Sequence, residues 1–174
     1  VYKRAYSQAD STLPYILSMQ TGLFPSQHHF GDYSKPIYAE SPSASIKFIS
    51  ELLKIKGFTT SAYTAFPRFD TLYGWSRGYD SYFHANLPSD SNAPDAGKII
   101  RHFDMMSEQD CFIYAHLTRL HGPLTSFDHL QTPRMHNAEI MSEASKRNFL
   151  PLYFQQLFEF DRQIGEIISF LKLT

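Results

Sequence analysis

A threonine at the start of a short apolar segment is the residue best placed to do chemistry in this chain. Thr12 comes shortly before Pro14, and an apolar turn then runs to Thr21 and Gly22. Proline is favoured at the first position of a helix and glycine just past its end, so the pattern predicts a helix from Pro14 to Gln20. Unpaired N–H groups and the helix dipole favour an anion at this start. The Thr12 hydroxyl therefore either caps the helix or attacks a phosphate or sulfate ester held there.

Two histidines and an arginine are further candidates for a site. His121 precedes Gly122 and Pro123 in a predicted loop after a strand, a common place for active-site residues in an α/β sheet. His116 lies inside the predicted strand, where it is either a core histidine bonded to a neighbouring carbonyl or a metal ligand or leaving-group acid. Arg68 offers a guanidinium fork to an anion, and the alternative for it is a solvated surface position.

Four other polar residues are expected in structural or surface roles. The adjacent histidines His28 and His29 point in different directions, so one metal ion rarely takes both. Arg77 has the same two alternatives as Arg68. Asp80 is expected to bond the backbone of its own loop, as aspartates in turns do.

The order of predicted elements indicates an α/β fold with a mostly parallel sheet covered by helices. An apolar stripe at helical spacing is expected to face the core and consists of Ile46, Ile49, Leu52 and Leu53, widened by Phe48 and Ile55. The segment 67–93 is predicted to be irregular. The other predicted elements are a strand in 1–9, helices in 45–56, 95–106 and 152–171, and strands in 58–65 and 110–117. The residues of the last helix that are expected to face inward are Leu157, Phe160, Ile164, Ile167, Ile168 and Leu171.

Composition excludes several classes of protein. The 174 residues are 43% hydrophobic and 19% charged, which is typical of a globular domain and not of a disordered chain. A formal net charge of −1 gives no electrostatic case for binding nucleic acid or an anionic membrane. Cys111 is the only cysteine, so an intrachain disulfide and a cysteine metal site are excluded. The sequence contains no glycine-rich nucleotide loop and no run of apolar residues long enough to span a membrane.

Taken in order, these motifs resemble the sulfatase and alkaline-phosphatase superfamily. Members carry a Cys, Ser or Thr nucleophile followed by a proline, a Thr-Gly pair, a second proline and a histidine. Each match is weak alone, but together they follow the family order over nearly the whole chain. The matching positions are Thr12, Pro14, Thr21, Gly22, Pro25 and His28, followed by the segments 57–60, 77–83, 112–117, 121–123 and 153–171.

The resemblance implies a hydrolase of sulfate or phosphate esters with an alkaline-phosphatase-like fold. It assigns catalytic roles to Thr12 and His121, substrate binding to His116 and Arg68, and one metal ligand to the Thr12 oxygen. The implied cofactor is a divalent cation, either Ca, Mg, Mn or Zn. The implied substrate is a small-molecule, glycan or lipid-headgroup ester, with no nucleic acid as partner, and the family points to a periplasmic or extracellular location.

Two departures from the family pattern bear on the chemistry. Sulfatases oxidise a Cys or Ser to formylglycine and place an arginine where this chain has Ile16, and threonine cannot be converted to formylglycine. The Lys and His that sulfatases place near Ala65 and Pro67 are also missing. Phosphoester chemistry is therefore favoured, as in a phosphodiesterase or a phosphoethanolamine or phosphoglycerol transferase. The further alternative is a non-catalytic relative that serves as a binding module.

The carboxylate metal ligands of the family are expected outside this segment. The family's paired aspartates should precede Val1, and its strand with an Asp followed by His or Asn should follow Thr174. Residues 1–174 are thus expected to form a single domain that is the middle part of a larger catalytic domain. We expect the isolated chain to be inactive.

Overall fold

The computed structural model of the chain describes residues 4, 6–30, 41–85, 93–118 and 143–173. Helices alternate with short strands along these ranges. The elements are α1 (Thr12–Thr21), α2 (Pro25–His28), α3 (Ile49–Ile55), β1 (Thr59–Thr64), 3-10 turns at Pro67–Phe69 and Thr71–Tyr73, β2 (Ser81–His84), α4 (Ala96–Met105), β3 (Cys111–Ala115) and α5 (Glu143–Leu171).

The three described strands form a parallel sheet in the order β2-β1-β3. In the central strand, Ser61 is paired with Ser81 of β2 and with Ile113 of β3. All but the first residue of β1 are buried, as expected for a parallel strand that is covered on both faces. The α/β fold with a parallel sheet, predicted from the alternation of helix and strand, is confirmed.

Two strand predictions are wrong in the described residues. The short β2 lies in the segment that was predicted to be irregular, and its Ser-Tyr-Phe-His sequence is held in the sheet by pairing with β1. The strand predicted in 1–9 is not found in its described part, residues 4 and 6–9. Both segments are too short for an alternating pattern to identify a strand, so tertiary pairing decides their structure.

An aromatic and aliphatic cluster covers the face of the sheet that packs against α1 and α3. Phe69 meets Trp75 edge-on with ring centroids 4.8 Å apart, and Phe30 meets the same indole at 5.8 Å. Such edge-to-face pairs add to the stabilisation from area burial alone. The buried members of the cluster are Leu13, Ile16, Leu17, Phe30, Phe48, Phe69 and Trp75.

The opposite face of the sheet is covered by α4, which places a buried histidine over β1. His102 Nδ1 lies 2.9 Å from the Tyr63 hydroxyl, and its Nε2 lies 3.2 Å from Ser61 Oγ. Tyr63 also stacks on Phe83 of β2 at 4.6 Å. Asp95 begins α4 by accepting a hydrogen bond from the backbone of Lys98. The helix predicted in 95–106 is confirmed.

Helix α3 is shorter than predicted and turns a different face to the core. It begins at Ile49, where the Glu51 carboxylate accepts a bond of 2.9 Å from the backbone N–H of Phe48. Ser50 is fully buried, whereas Leu52 and Ile55 are 52% and 78% exposed. The predicted inward stripe is therefore wrong at Ile49, Leu52 and Ile55. The reason is that the chain at Gly78 lies close against the backbone of α3, and Ser50 donates a bond of 2.8 Å to the Arg77 carbonyl there, so this side of the helix is covered.

Helix α5 confirms the helix predicted in 152–171, but the side of the helix that is buried differs from the predicted one. Gln163 is buried, and Leu157, Ile168 and Leu171, which were expected to face inward, are partly exposed. Contact with α4 sets which side of the helix is covered. Among the described residues, no helix is both long and apolar enough to cross a membrane.

Candidate functional site

Thr12 occupies the first position of α1. Ser11 is the N-cap, with extended backbone angles (φ −125°, ψ 155°) and no capping bond from its side chain. Pro14 thus lies inside the first turn and not at its first position as predicted, which is tolerated because the N–H groups of the first turn have no helical acceptor. Within the described part of the chain, the half-buried Thr12 hydroxyl makes no hydrogen bond. The hydroxyl is therefore not used to cap the helix.

The rest of α1 is anchored in the core, which fixes the position of its first turn. Leu13, Ile16 and Leu17 are buried in the aromatic and aliphatic cluster. At the other end, Gln20 Oε1 accepts a bond of 3.0 Å from the Tyr79 hydroxyl. The helix has little freedom to rotate, so the direction in which Thr12 faces is set by the packing of its neighbours.

His116 and Arg68 follow the carboxyl ends of neighbouring parallel strands. The backbone N–H of His116 donates to the Tyr63 carbonyl at 2.8 Å and so extends the pairing of β3 with β1. Its imidazole meets the Phe69 ring edge-on at 5.0 Å. Arg68 is half-buried in the 3-10 turn that follows β1. Parallel strands end at the same edge of a sheet, so both residues lie at the edge where α/β proteins bind their ligands.

Phe69 connects this edge of the sheet to the start of α1. It contacts the His116 ring and belongs to the same buried cluster as Leu13, the residue after Thr12. Leu13 and Phe69, the sequence neighbours of Thr12 and Arg68, therefore belong to one buried cluster, and Phe69 also contacts the His116 ring. His121, the other predicted catalytic residue, lies outside the described residues.

A histidine that the sequence analysis missed also lies at this edge. His84 ends β2, with Nδ1 3.1 Å from Thr64 Oγ1 and Nε2 3.9 Å from an oxygen of Asp70. Asp70 in turn accepts a bond of 2.9 Å from the backbone N–H of Leu72. His84 was missed because the sequence predicts an irregular segment where β2 lies. Its position after a short aromatic segment was the available signal.

His28 has the structural role predicted for it, whereas Arg77, expected either to bind an anion or to lie solvated on the surface, is held by protein groups. Phe30 N–H donates to His28 Nδ1, which leaves the protonated Nε2 to donate to Ser18 Oγ at 3.0 Å, and burial lowers the pKa of His28. The Arg77 guanidinium lies 4.4 Å from the centre of the Phe48 ring and donates to two backbone carbonyls. Neither His28 nor Arg77 is available to a ligand.

Asp80 bonds the backbone as predicted, although its partner lies in β1 and not in its own loop. Its carboxylate accepts from Thr60 N–H at 2.9 Å and pairs with Lys54 at 2.5 Å. Mainly through the bond from Lys54, these contacts lower the pKa of Asp80. The residue ties α3 to the sheet.

The described residues do not form a complete metal centre. No group of three His, Cys, Asp or Glu side chains that could hold an ion occurs among them. A divalent cation prefers oxygen ligands, and the half-buried hydroxyl of Thr12 is suited to supply one of them.

Comparison with known proteins agrees with the fold and with the order of motifs. The sulfatase family model matches residues 1–173. No individual curated protein matches the chain. Members of the sulfatase family are hydrolases of esters and typically use a divalent cation. Since the match covers nearly the whole chain and the parallel α/β sheet is of the expected kind, the chain belongs to the sulfatase family.

Proposed function

We propose that this sulfatase-like hydrolase acts on a sulfate or phosphate ester with Thr12 as its nucleophile. The observation that carries the proposal is the Thr12 hydroxyl, which lies in the first turn of α1 and is not used as a cap. The N–H groups and dipole of that turn favour an anionic ester at the same place. Ser11, beside it, takes the capping position and leaves Thr12 available for chemistry.

The proposed reaction is an in-line displacement through a covalent intermediate. Thr12 Oγ1 forms a bond to phosphorus or sulfur while the bond to the ester oxygen breaks, and the Thr12 proton passes to solvent or to a neighbouring base. His121 or His116 gives a proton to the departing alcohol, and Arg68 holds the non-bridging oxygens of the ester. Water then attacks the threonine ester and restores the hydroxyl. A divalent cation, when bound, would make the hydroxyl more acidic and balance charge on the ester oxygens.

The residues around the site favour phosphate over sulfate. The position of the sulfatase arginine is taken by Ile16, which is buried in the core and offers no charge to a substrate. Ala65, near the position of the sulfatase lysine, is buried as well. A threonine also lacks the chemistry that turns Cys or Ser into formylglycine. A transferase of the phosphoethanolamine or phosphoglycerol kind differs only in the acceptor, which would be an alcohol in place of water.

We further propose that the chain is one part of a larger catalytic domain, which would supply the remaining metal ligands. The described residues hold no three-ligand cluster, and large apolar side chains remain in contact with solvent. Leu52, Ile55 and Phe158 are 52%, 78% and 73% exposed. Such surface is unusual on a complete domain and is typical of one that packs against further structure.

The test is turnover of aryl phosphate and aryl sulfate by the complete gene product with added Mg, Mn, Ca or Zn. We expect phosphate turnover that needs a cation, is lost in Thr12→Ala and is partly kept in Thr12→Ser. The matched control is Ser11→Ala, which removes the neighbouring hydroxyl and should leave turnover close to wild type. Mass spectrometry should find phosphate on the peptide that contains Thr12. Wild-type turnover in Thr12→Ala would overturn the assignment of the nucleophile.

A non-catalytic binding module is the second candidate, and the missing cationic residues favour it. Ile16, Ala65 and Pro67 occupy positions at which sulfatases carry Arg, Lys and His. The same experiment separates the two functions. Binding of inorganic phosphate without turnover under any of the four cations would support the module and overturn the enzyme.

A further inference from the structure

A tyrosine hydroxyl is enclosed between the sheet and α1. The Tyr114 hydroxyl in β3 is shielded from solvent, and no protein group of the described chain lies within hydrogen-bond distance of it. Burial raises the pKa of Tyr114 far above its ordinary value, so the phenol keeps its proton. A buried hydroxyl that has no partner is costly, and native proteins rarely leave one in that state.

A small cavity adjoins this hydroxyl. The volume of the cavity is about 10 Å³, which is near the lower limit for holding one water molecule. Most of the surface that the cavity exposes is apolar, although several of the side chains around it carry a polar atom. Its lining includes Gln20, Thr64, Tyr79, Tyr82 and Tyr114.

The neighbouring hydroxyls have lone pairs left to accept a bond. Tyr79 donates its proton to Gln20 Oε1 at 3.0 Å, and Tyr82 donates its proton to the Phe69 carbonyl at 2.6 Å. Each phenol oxygen can still accept, because a hydroxyl has one donor and two acceptor sites. The Tyr114 hydroxyl can then donate to a water that donates onward to Tyr79 or Tyr82.

We propose that a single water molecule is bound in this cavity and bridges Tyr114 to Tyr79 or Tyr82. Holding one water in place costs less than leaving the Tyr114 hydroxyl unpaired, so the bridged arrangement is favoured. The water joins β3, which leads to His116, to α1 through Gln20, and so forms a polar link between two elements of the candidate site. The inference stands without the proposed function, since it concerns only these side chains.

The test compares thermal unfolding of the protein with that of Tyr114→Phe. If water pairs the hydroxyl, removing it takes away a bond, and Tm should fall by about 2–6 °C. If the hydroxyl is unpaired, removing it relieves a cost, and Tm should stay the same or rise. Tyr73→Phe is the control, because this half-buried ring packs against the same cluster and does not line the cavity, and it should leave Tm within about 1 °C.

A second measurement decides the matter if the variant folds poorly. A crystal structure of the wild-type protein at high resolution should show one ordered water at hydrogen-bond distance from the Tyr114 hydroxyl and from the hydroxyl of Tyr79 or Tyr82. An empty cavity in such a map, or an unchanged or raised Tm in Tyr114→Phe, would overturn the proposal.

Discussion

Replacing Gly78 with alanine should be far more damaging than the same change at Gly74. Both glycines have positive φ, 76° and 75°, a conformation that costs an alanine about 1–2 kcal/mol. A β-carbon at Gly78 would overlap the backbone N of Glu51 and lie 2.7 Å from its Cα. A β-carbon at Gly74 would meet nothing within 4 Å. Gly74→Ala is therefore a matched control that carries the backbone cost without the clash.

The size of the loss in unfolding free energy depends on which atoms must move to make room for the added β-carbon. The atoms opposite Gly78 belong to the backbone of α3, so they cannot rotate away as a flexible side chain would. Forcing excess volume into packed structure costs about 1–3 kcal/mol, which adds to the conformational cost. We expect Gly78→Ala to lose about 2–5 kcal/mol of unfolding free energy and Gly74→Ala about 1–2 kcal/mol.

Urea unfolding followed by circular dichroism measures both variants against wild type. Because only Gly78→Ala carries the clash, it should be less stable than Gly74→Ala by at least about 1 kcal/mol. Equal losses would mean that the loop moves away from α3 at no cost, and the close approach would then not explain why Ser50 is buried.

Three further changes test other contacts. Burial lowers the pKa of His102 below 6.5, so the unfolded chain binds a proton more readily than the folded chain. The free energy of unfolding is therefore highest above pH 6.5 and decreases as the pH falls below that value. Between pH 7 and 5, Tm should fall less in His102→Asn than in wild type. Asp95→Ala removes the bond to the backbone N–H of Lys98 and should cost about 1 kcal/mol in urea unfolding. Ser50→Ala leaves the Arg77 carbonyl without the bond of 2.8 Å from Ser50 and should cost about 1–2 kcal/mol by the same method.

Each of these predictions has a contrary result. An equal acid-induced fall of Tm in His102→Asn would place the titrating group elsewhere, with the buried His28 as the next candidate. Unchanged stability of Asp95→Ala would show that water replaces the cap. Unchanged stability of Ser50→Ala would show the same for the Arg77 carbonyl.

The sequence predicted those elements whose local signals agree with their packing. Helix α4 has a capping aspartate and apolar residues at helical spacing, and β1 follows a helix-ending glycine. The prediction of which face of α3 is buried was wrong because it was made from residue type alone. Ser50 is buried by a close approach of the chain at Gly78, a contact between distant residues that no local pattern encodes.

The helix start near Thr12 was predictable from the sequence, whereas the contacts at the edge of the sheet were not. The hydroxyl, proline and glycine around α1 are local signals, and they located the start of the helix to within one turn. The His84, Thr64 and Asp70 contacts depend on the pairing of β2 with β1, and a four-residue strand carries too little pattern to reveal it. Short strands are identified by their partners, which lie far away in sequence.

The strand order has a consequence for how the protein is made. Because β1 is central, its backbone partners are supplied by later parts of the chain. The Thr60 carbonyl accepts a bond from the Asp80 N–H, and the Thr59 N–H donates to the Asp110 carbonyl. During synthesis β1 leaves the ribosome before either neighbour, with both edges open. Non-local pairing of this kind slows folding and exposes the nascent chain to aggregation, so β1 is where chaperones would be needed first.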